Sequence, residues 1–255
     1  MKKYLLTYII FFMNTNLYSN DLVYANIEYY PRKIKNNTYL FAIKLNIQEN
    51  WHIYWKNPGD AGFPTQIKIS SPKNNINFSE IIFPPPEIFY SSGLLSYGYK
   101  NEVIFPFLVE VDKLEDLIFN IHIYGLACNE VCEEFYINID FNFSKNTYKQ
   151  DNELIDFYKK LPKFDKNIIL NYDDNDDYLI IKFKNIPFSN IVSAYFFPEI
   201  QNQFLNEKIQ KYEIKDNYIA IFLRKNPLNS SNLYTFKGIL KITTENNIIY
   251  YNITN

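Results

Sequence analysis

Apolar and polar residues alternate with a period of two through the first half of this 255-residue chain. That pattern restricts the fold to half-buried β-strands. Tyr39, Phe41, Ile43, Leu45 and Ile47 share one face, with Lys44 and Asn46 on the other. Phe119, Ile121 and Ile123 alternate with Asn120, His122 and Tyr124. Phe135, Ile137, Ile139, Phe141 and Phe143 alternate with Tyr136, Asn138, Asp140 and Asn142. Val103 to Val111 is apolar on both faces between Glu102 and Glu110, the pattern of a central strand. Stretches near Leu22–Tyr29, Trp51–Trp55, Gln66–Ile69 and Ile81–Phe83 complete a set of about eight short strands. Lys35-Asn36-Asn37, Asn57-Pro58-Gly59-Asp60, Ser71-Pro72 and Pro84-Pro85-Pro86 supply the turns between them. The expected class is all-β, with an immunoglobulin-like β-sandwich over residues 20–145.

Composition shifts after Phe143. Ser144 to Asp151 is polar, and Asn152 to Leu161 is the best helix candidate. Leu154, Phe157, Tyr158 and Leu161 recur at helical spacing, and Pro162 stops the run. Strand patterns resume at Tyr178–Phe183, Ile191–Phe197, Tyr212–Ile214, Tyr218–Leu223, Gly238–Thr243 and Ile248–Ile253, with a hairpin turn expected at Asn246-Asn247. A second, smaller β-sandwich is expected over 150–255. It contains no Cys and no His, so scaffolding or partner docking is its expected role.

Residues 1–19 read as an export signal. Lys2 and Lys3 precede a short apolar run from Tyr4 to Met13, and Leu17-Tyr18-Ser19 offers a small residue at the cleavage edge. The run is too short to span a bilayer, which needs about 20 residues. Without Lys2 and Lys3, 24 basic residues face 28 acidic ones, a net charge of −4. Nucleic acid, which selects a clustered basic face, is therefore not an expected partner.

The only two cysteines, Cys128 and Cys132, lie four apart. In an exported chain such a pair is a redox couple, a structural disulfide or a metal site. On one extended strand they would stand about 13 Å apart, beyond the Cα separation a disulfide tolerates. Strand patterns flank both cysteines, so Asn129-Glu130-Val131 is expected as a three-residue hairpin loop with the cysteines as a cross-strand pair. Odd residues point inward on both strands, which puts positions 128 and 132 on the outward face. Closing so small a loop stabilises a fold by only about 2 kcal/mol, against about 3 for a 15-residue loop. A staple alone explains the placement poorly, and exchange, which needs accessible sulfur, suits it better. Glu130, Glu133 and Glu134 crowd the pair. Their negative charge disfavours thiolate and opposes a strong free-standing oxidant.

A metal reading needs a third ligand. His122 lies on the even face of the same strand, so Cys128, Cys132 and His122 would suit Cu(I) or Zn. A solvent-facing histidine is the plainer account of His122, and packing is the plainer account of His52 beside Trp51. The chain shows no Ser-His-Asp order, phosphate loop, metalloprotease helix or glycosidase-like carboxylate pair. No cofactor is expected, and all three readings of the cysteine pair stay open on spacing alone.

Trp51-His52-Ile53-Tyr54-Trp55-Lys56-Asn57-Pro58-Gly59-Asp60-Ala61-Gly62-Phe63-Pro64-Thr65 resembles the signature stretch of a known family. That family is the N-terminal periplasmic domain of the thiol:disulfide interchange protein DsbD, with its suppressor-of-copper-sensitivity relatives. Phe83-Pro84-Pro85-Pro86, Tyr97-Gly98-Tyr99 with Glu102-Val103, and the Cys128 to Cys132 segment follow in the same order. The resemblance covers about residues 22–143. It implies an immunoglobulin-like fold, a periplasmic location and Cys128 and Cys132 as redox residues. They would take electrons from a membrane-embedded thiol carrier. They would pass them to thioredoxin-like or disulfide isomerase proteins, including those of cytochrome c maturation and copper tolerance. It also implies an aromatic cap over the cysteines, for which Phe89 and Tyr90, in a loop expected at Phe89–Leu95, are the candidates. Trp51, Tyr54 and Trp55 would support the cysteine hairpin with bulk, and Asp60 would bond the loop backbone after the Pro58-Gly59 turn. Resembling proteins often continue into membrane and thioredoxin-like domains. Neither pattern is expected from this sequence, so either a separate membrane protein is the expected electron donor or the chain does a different job.

Overall fold

A computed structural model describes residues 22–145, 149–187, 190–215, 218–229 and 234–254. The expected export signal, 1–19, lies outside the described residues. The first part of the chain forms β1 (Val23–Lys35), β2 (Thr38–Ile47), β3 (His52–Gly59), β4 (Gln66–Ser70), β5 (Asn77–Phe78), β6 (Glu87–Ser91), β7 (Leu94–Lys100), β8 (Glu102–Glu110), β9 (Ile118–Cys128), β10 (Cys132–Asn142) and β11 (Lys149–Gln150). One sheet runs β11-β1-β2-β8-β5. The other runs β10-β9-β3-β7-β6, and β4 also pairs with β9.

The odd-numbered residues of the alternating strands meet between these sheets. Phe41 and Phe107 of one sheet pack with Phe119 and Phe141 of the other, and Phe119 stacks on Phe141 at 4.2 Å between ring centres. The class is all-β, compatible with an immunoglobulin-like sandwich. Strand β8 is interior, between β2 and β5, as its two-faced apolar pattern requires. The helix α1 (Leu154–Lys160) follows. Its Leu154 packs on Leu40 and Ala42, so β2 is buried on its outer face as well.

Three local expectations are corrected. Ile81–Phe83 is not a strand. Ile82 N–H donates to Pro106 O, but the three prolines that follow lack the N–H a ladder needs. Phe89–Leu95 is not a long loop: β6 and β7 form a hairpin, turned by Ser92 and Gly93 with φ of 53° and 83°. Pro58-Gly59 does not turn the chain. Strand β3 runs through to Gly59 with a register shift after Tyr54, and the bend falls at 60–62.

The second part contains β12 (Lys163–Phe164), β13 (Ile169–Asp174), β14 (Tyr178–Lys184), β15 (Ile191–Pro198), β16 (Lys211–Lys215), β17 (Tyr218–Arg224), β18 (Gly238–Thr244) and β19 (Ile248–Ile253). They form the sheets β12-β19-β18-β15 and β13-β14-β17-β16. Leu179, Ile181, Phe183 and Ile221 of one meet Phe196, Leu240 and Ile242 of the other. Strand β13 eluded the sequence because Asn171, Asp173 and Asp174 interrupt its apolar pattern.

The two sandwiches pack directly. Tyr195, Phe197 and Ile239 of the second belong to the core of the first. Phe197 lies 5.5 Å from the Tyr97 ring and 6.4 Å from Trp55, edge-on to both.

Candidate redox site

Strands β9 and β10 pair antiparallel, with Cys128 opposite Cys132 across the loop Asn129-Glu130-Val131. Asn129 N–H donates to Val131 O (2.9 Å), which tightens the loop. The cysteines are joined as a disulfide with their Cα atoms 4.1 Å apart. So short a separation marks a non-hydrogen-bonded cross-strand pair, in which facing side chains are closest. The hairpin expected from the flanking strand patterns is therefore the one that forms.

Parity holds too: Ala127 and Phe135 face the core, and the cysteines take the opposite face. Exposure does not follow parity for both. Cys132 is exposed, but Cys128 is only 2 % exposed, which corrects the expectation of an accessible pair. The sheet order explains the asymmetry. Strand β10 is an edge among the described residues, whereas β9 has β3 on its other side. There His52 is the register partner of Cys128, so its side chain rises beside Cys128 on the same face. Phe89 stacks on the His52 ring at 4.7 Å and 18°. Tyr54 meets His52 edge-on at 5.1 Å. An aromatic wall thus stands on the β3 side of the disulfide.

His52 is the site residue that sequence reasoning missed. Lying within the Trp51–Trp55 aromatic run, it carried no sign of register with a cysteine 76 positions away. Burial lowers its pKa, so it stands neutral at pH 7. The native state binds a proton at His52 less readily than the unfolded chain does. The resulting stability is present above the ordinary histidine pKa and is lost as pH falls through the lower folded value. Acidification below about pH 6.5 should therefore lower the thermal midpoint of the parent protein more steeply than that of a His52→Gln variant, as calorimetry at stepped pH will read.

Other expected site residues divide. Phe89 is in place, while Tyr90 turns away to Lys208, 5.4 Å from ring centre to Nζ. Tyr54 reaches the wall and lies over Gly62, where a Cβ would come within 2.3 Å of its ring. Trp51 is half-buried against the first core. Trp55 supports the inter-sandwich core instead of the cysteine hairpin. Asp60 bonds the backbone of β7 instead of its own loop: its Oδ2 accepts from Leu95 N–H at 2.8 Å. His122 is no neighbour of the cysteines. It sits six residues along β9, roughly 20 Å away at strand rise, opposite Asn138, to which it hydrogen-bonds. The Cys128, Cys132 and His122 ligand set is corrected accordingly, and no group of three metal-ligating residues occurs among the described residues.

The stretch 56–60 also holds the second sandwich. Lys56 pairs with Glu199 (3.0 Å), Asn57 Nδ2 donates to Pro198 O (2.8 Å), and Asn206 Nδ2 donates to Asp60 Oδ1 (2.8 Å).

A family model described as "Thiol:disulfide interchange protein DsbD, N-terminal" matches residues 21–136, which takes in the aromatic wall and both cysteines. Over these residues the chain is similar to the DsbD N-terminal domain family. The wider fold is similar to the N-terminal periplasmic domain of ScsB from Proteus mirabilis. That match has a TM-score of 0.64 and 16 % identity and covers 91 % of this chain and 92 % of that one. The likeness therefore extends over both sandwiches, not the DsbD N-terminal-type part alone. A marsupial T cell receptor aligns at a TM-score of only 0.21 and 10 % identity and carries no argument. No curated protein matches the sequence. No helix among the described residues is long and apolar enough to cross a membrane.

Proposed function

We propose that this member of a thiol–disulfide exchange family is an exported, periplasmic electron relay. It would work between a separate membrane-embedded thiol carrier and thioredoxin-like or disulfide isomerase proteins. The observation that carries the reading is the unequal burial of one cross-strand disulfide, with Cys132 exposed and Cys128 covered. A donor thiolate attacks the Cys132 sulfur, forming a mixed disulfide while the Cys128–Cys132 bond breaks and Cys128 leaves as thiolate. The donor's second thiolate then attacks the donor's own sulfur and releases Cys132. The donor is oxidised and the pair is left as two thiols. Delivery runs in reverse: the Cys132 thiolate attacks an oxidised acceptor, and Cys128 resolves the mixed disulfide. The acceptor is reduced and the Cys128–Cys132 bond re-forms.

The asymmetry sets the test. In cell envelopes, Cys128→Ser should accumulate mixed disulfides with thiol proteins, because Cys132 stays exposed and nothing resolves them. Cys132→Ser should accumulate few. Capture by neither variant, read by non-reducing gels and mass spectrometry, would end the relay reading.

A further inference from the structure

Strand β6, whose Phe89 stacks on His52 beside Cys128, is itself backed by the second sandwich. Neighbouring residues of β6 point opposite ways. Phe89 turns to His52, whereas Tyr90 turns to Lys208. Ile88 lines a cleft with Tyr195, Phe197 and Ile209 of the second sandwich. Two residues of that sandwich, Asn206 and Lys208, contact the first directly, and Glu207 between them reaches it through Tyr195. Asn206 Nδ2 donates to Asp60 Oδ1 at 2.8 Å. Glu207 O accepts from the Tyr195 hydroxyl at 2.8 Å. The Tyr195 proton being so committed, the Tyr97 hydroxyl donates to Tyr195 at 2.9 Å. Lys208 Nζ stands over the Tyr90 ring, a favourable site for a cation. Asp60 closes the circuit: its Oδ2 accepts from Leu95 N–H and its own N–H donates to Leu95 O at 2.7 Å. Segment 206–208 therefore touches both strands of the β6–β7 hairpin, at Tyr90 directly and at Leu95 through Asp60.

We infer that Asn206 and Lys208 are positioning residues that hold the β6–β7 hairpin, and with it Phe89, against His52 beside Cys128, which makes the second sandwich the backstop of the redox site. Its purpose rests on the exchange reading, since a guarded Cys128 thiolate resists stray reagents while Cys132 stays open to partners. Its test does not. In the full chain carrying Cys132→Ser, Cys128 is the only thiol. Its alkylation by iodoacetamide is followed by mass spectrometry across a range of pH. Asn206→Ala with Lys208→Ala should raise the plateau rate several-fold without moving the midpoint, which reads the thiol pKa. Phe89→Ala should raise the plateau further, and Lys208→Arg, which keeps the cation over Tyr90, should retain the slow rate. Near-UV circular dichroism checks that the exposed-site variants stay folded. An unchanged plateau in the double variant overturns the inference, and so does an unchanged plateau in Phe89→Ala. Failure to capture any thiol protein would sink the exchange reading while leaving these rates as expected.

Discussion

Trp55→Ala should destabilise the protein by about 3–5 kcal/mol, the range for truncating a fully buried large aromatic, and should weaken both sandwiches together. Trp55 is 0 % exposed and packs edge-on with Tyr97 of its own sandwich and Phe197 of the other. Lys56 closes the arrangement from outside, over the Trp55 and Phe83 rings. The cavity left by alanine would open where the two cores are continuous, so neither sandwich can collapse onto it alone. Urea unfolding followed by circular dichroism should show one transition at lower midpoint. A split into two transitions would mean that the sandwiches unfold independently and that Trp55 serves only the first. Trp55→Phe should cost much less. It keeps most of the ring contact and removes an indole N–H that is buried with no acceptor among the described residues, a group costly to leave unpaired.

Trp55 also shows where sequence reading stops. Its aromatic bulk was legible, and so were the strands whose period-2 faces build the first core. The cysteine hairpin was legible because two alternating strands left only three residues to turn in. Residues that act through pairing between distant strands were hidden. His52 reaches Cys128 only through the β3–β9 register, and no local pattern encodes register between strands so far apart in sequence. The cap was half legible: Phe89 and Tyr90 are both in β6, but strand alternation sends them to opposite sides. The docking role of Lys56, Asn57 and Asp60 was hidden for the same reason. Their partners, Glu199, Pro198 and Asn206, are ordinary surface residues until the second sandwich folds against them.

Gly59→Ala should both destabilise the fold and uncover Cys128, whereas Gly93→Ala should do much less of either. Both glycines have positive φ, 90° and 83°, so each substitution carries the backbone cost of a side chain in that region, of order 1–3 kcal/mol. Their surroundings differ. A Cβ on Gly93, at the hairpin tip, meets nothing within 4 Å, but one on Gly59 falls 2.4 Å from Leu95 O. Leu95 cannot give way cheaply, because its N–H and carbonyl are both bonded to Asp60. The clash therefore drives β7 from the end of β3, and β6 moves with β7 through their shared ladder. Phe89 then leaves His52, and the wall beside Cys128 opens. In the Cys132→Ser background, Gly59→Ala should alkylate several-fold faster at Cys128 and melt lower than Gly93→Ala. Equal effects at the two glycines would show that backbone conformation alone decides the outcome and that the Gly59–Leu95 approach does not hold the cap.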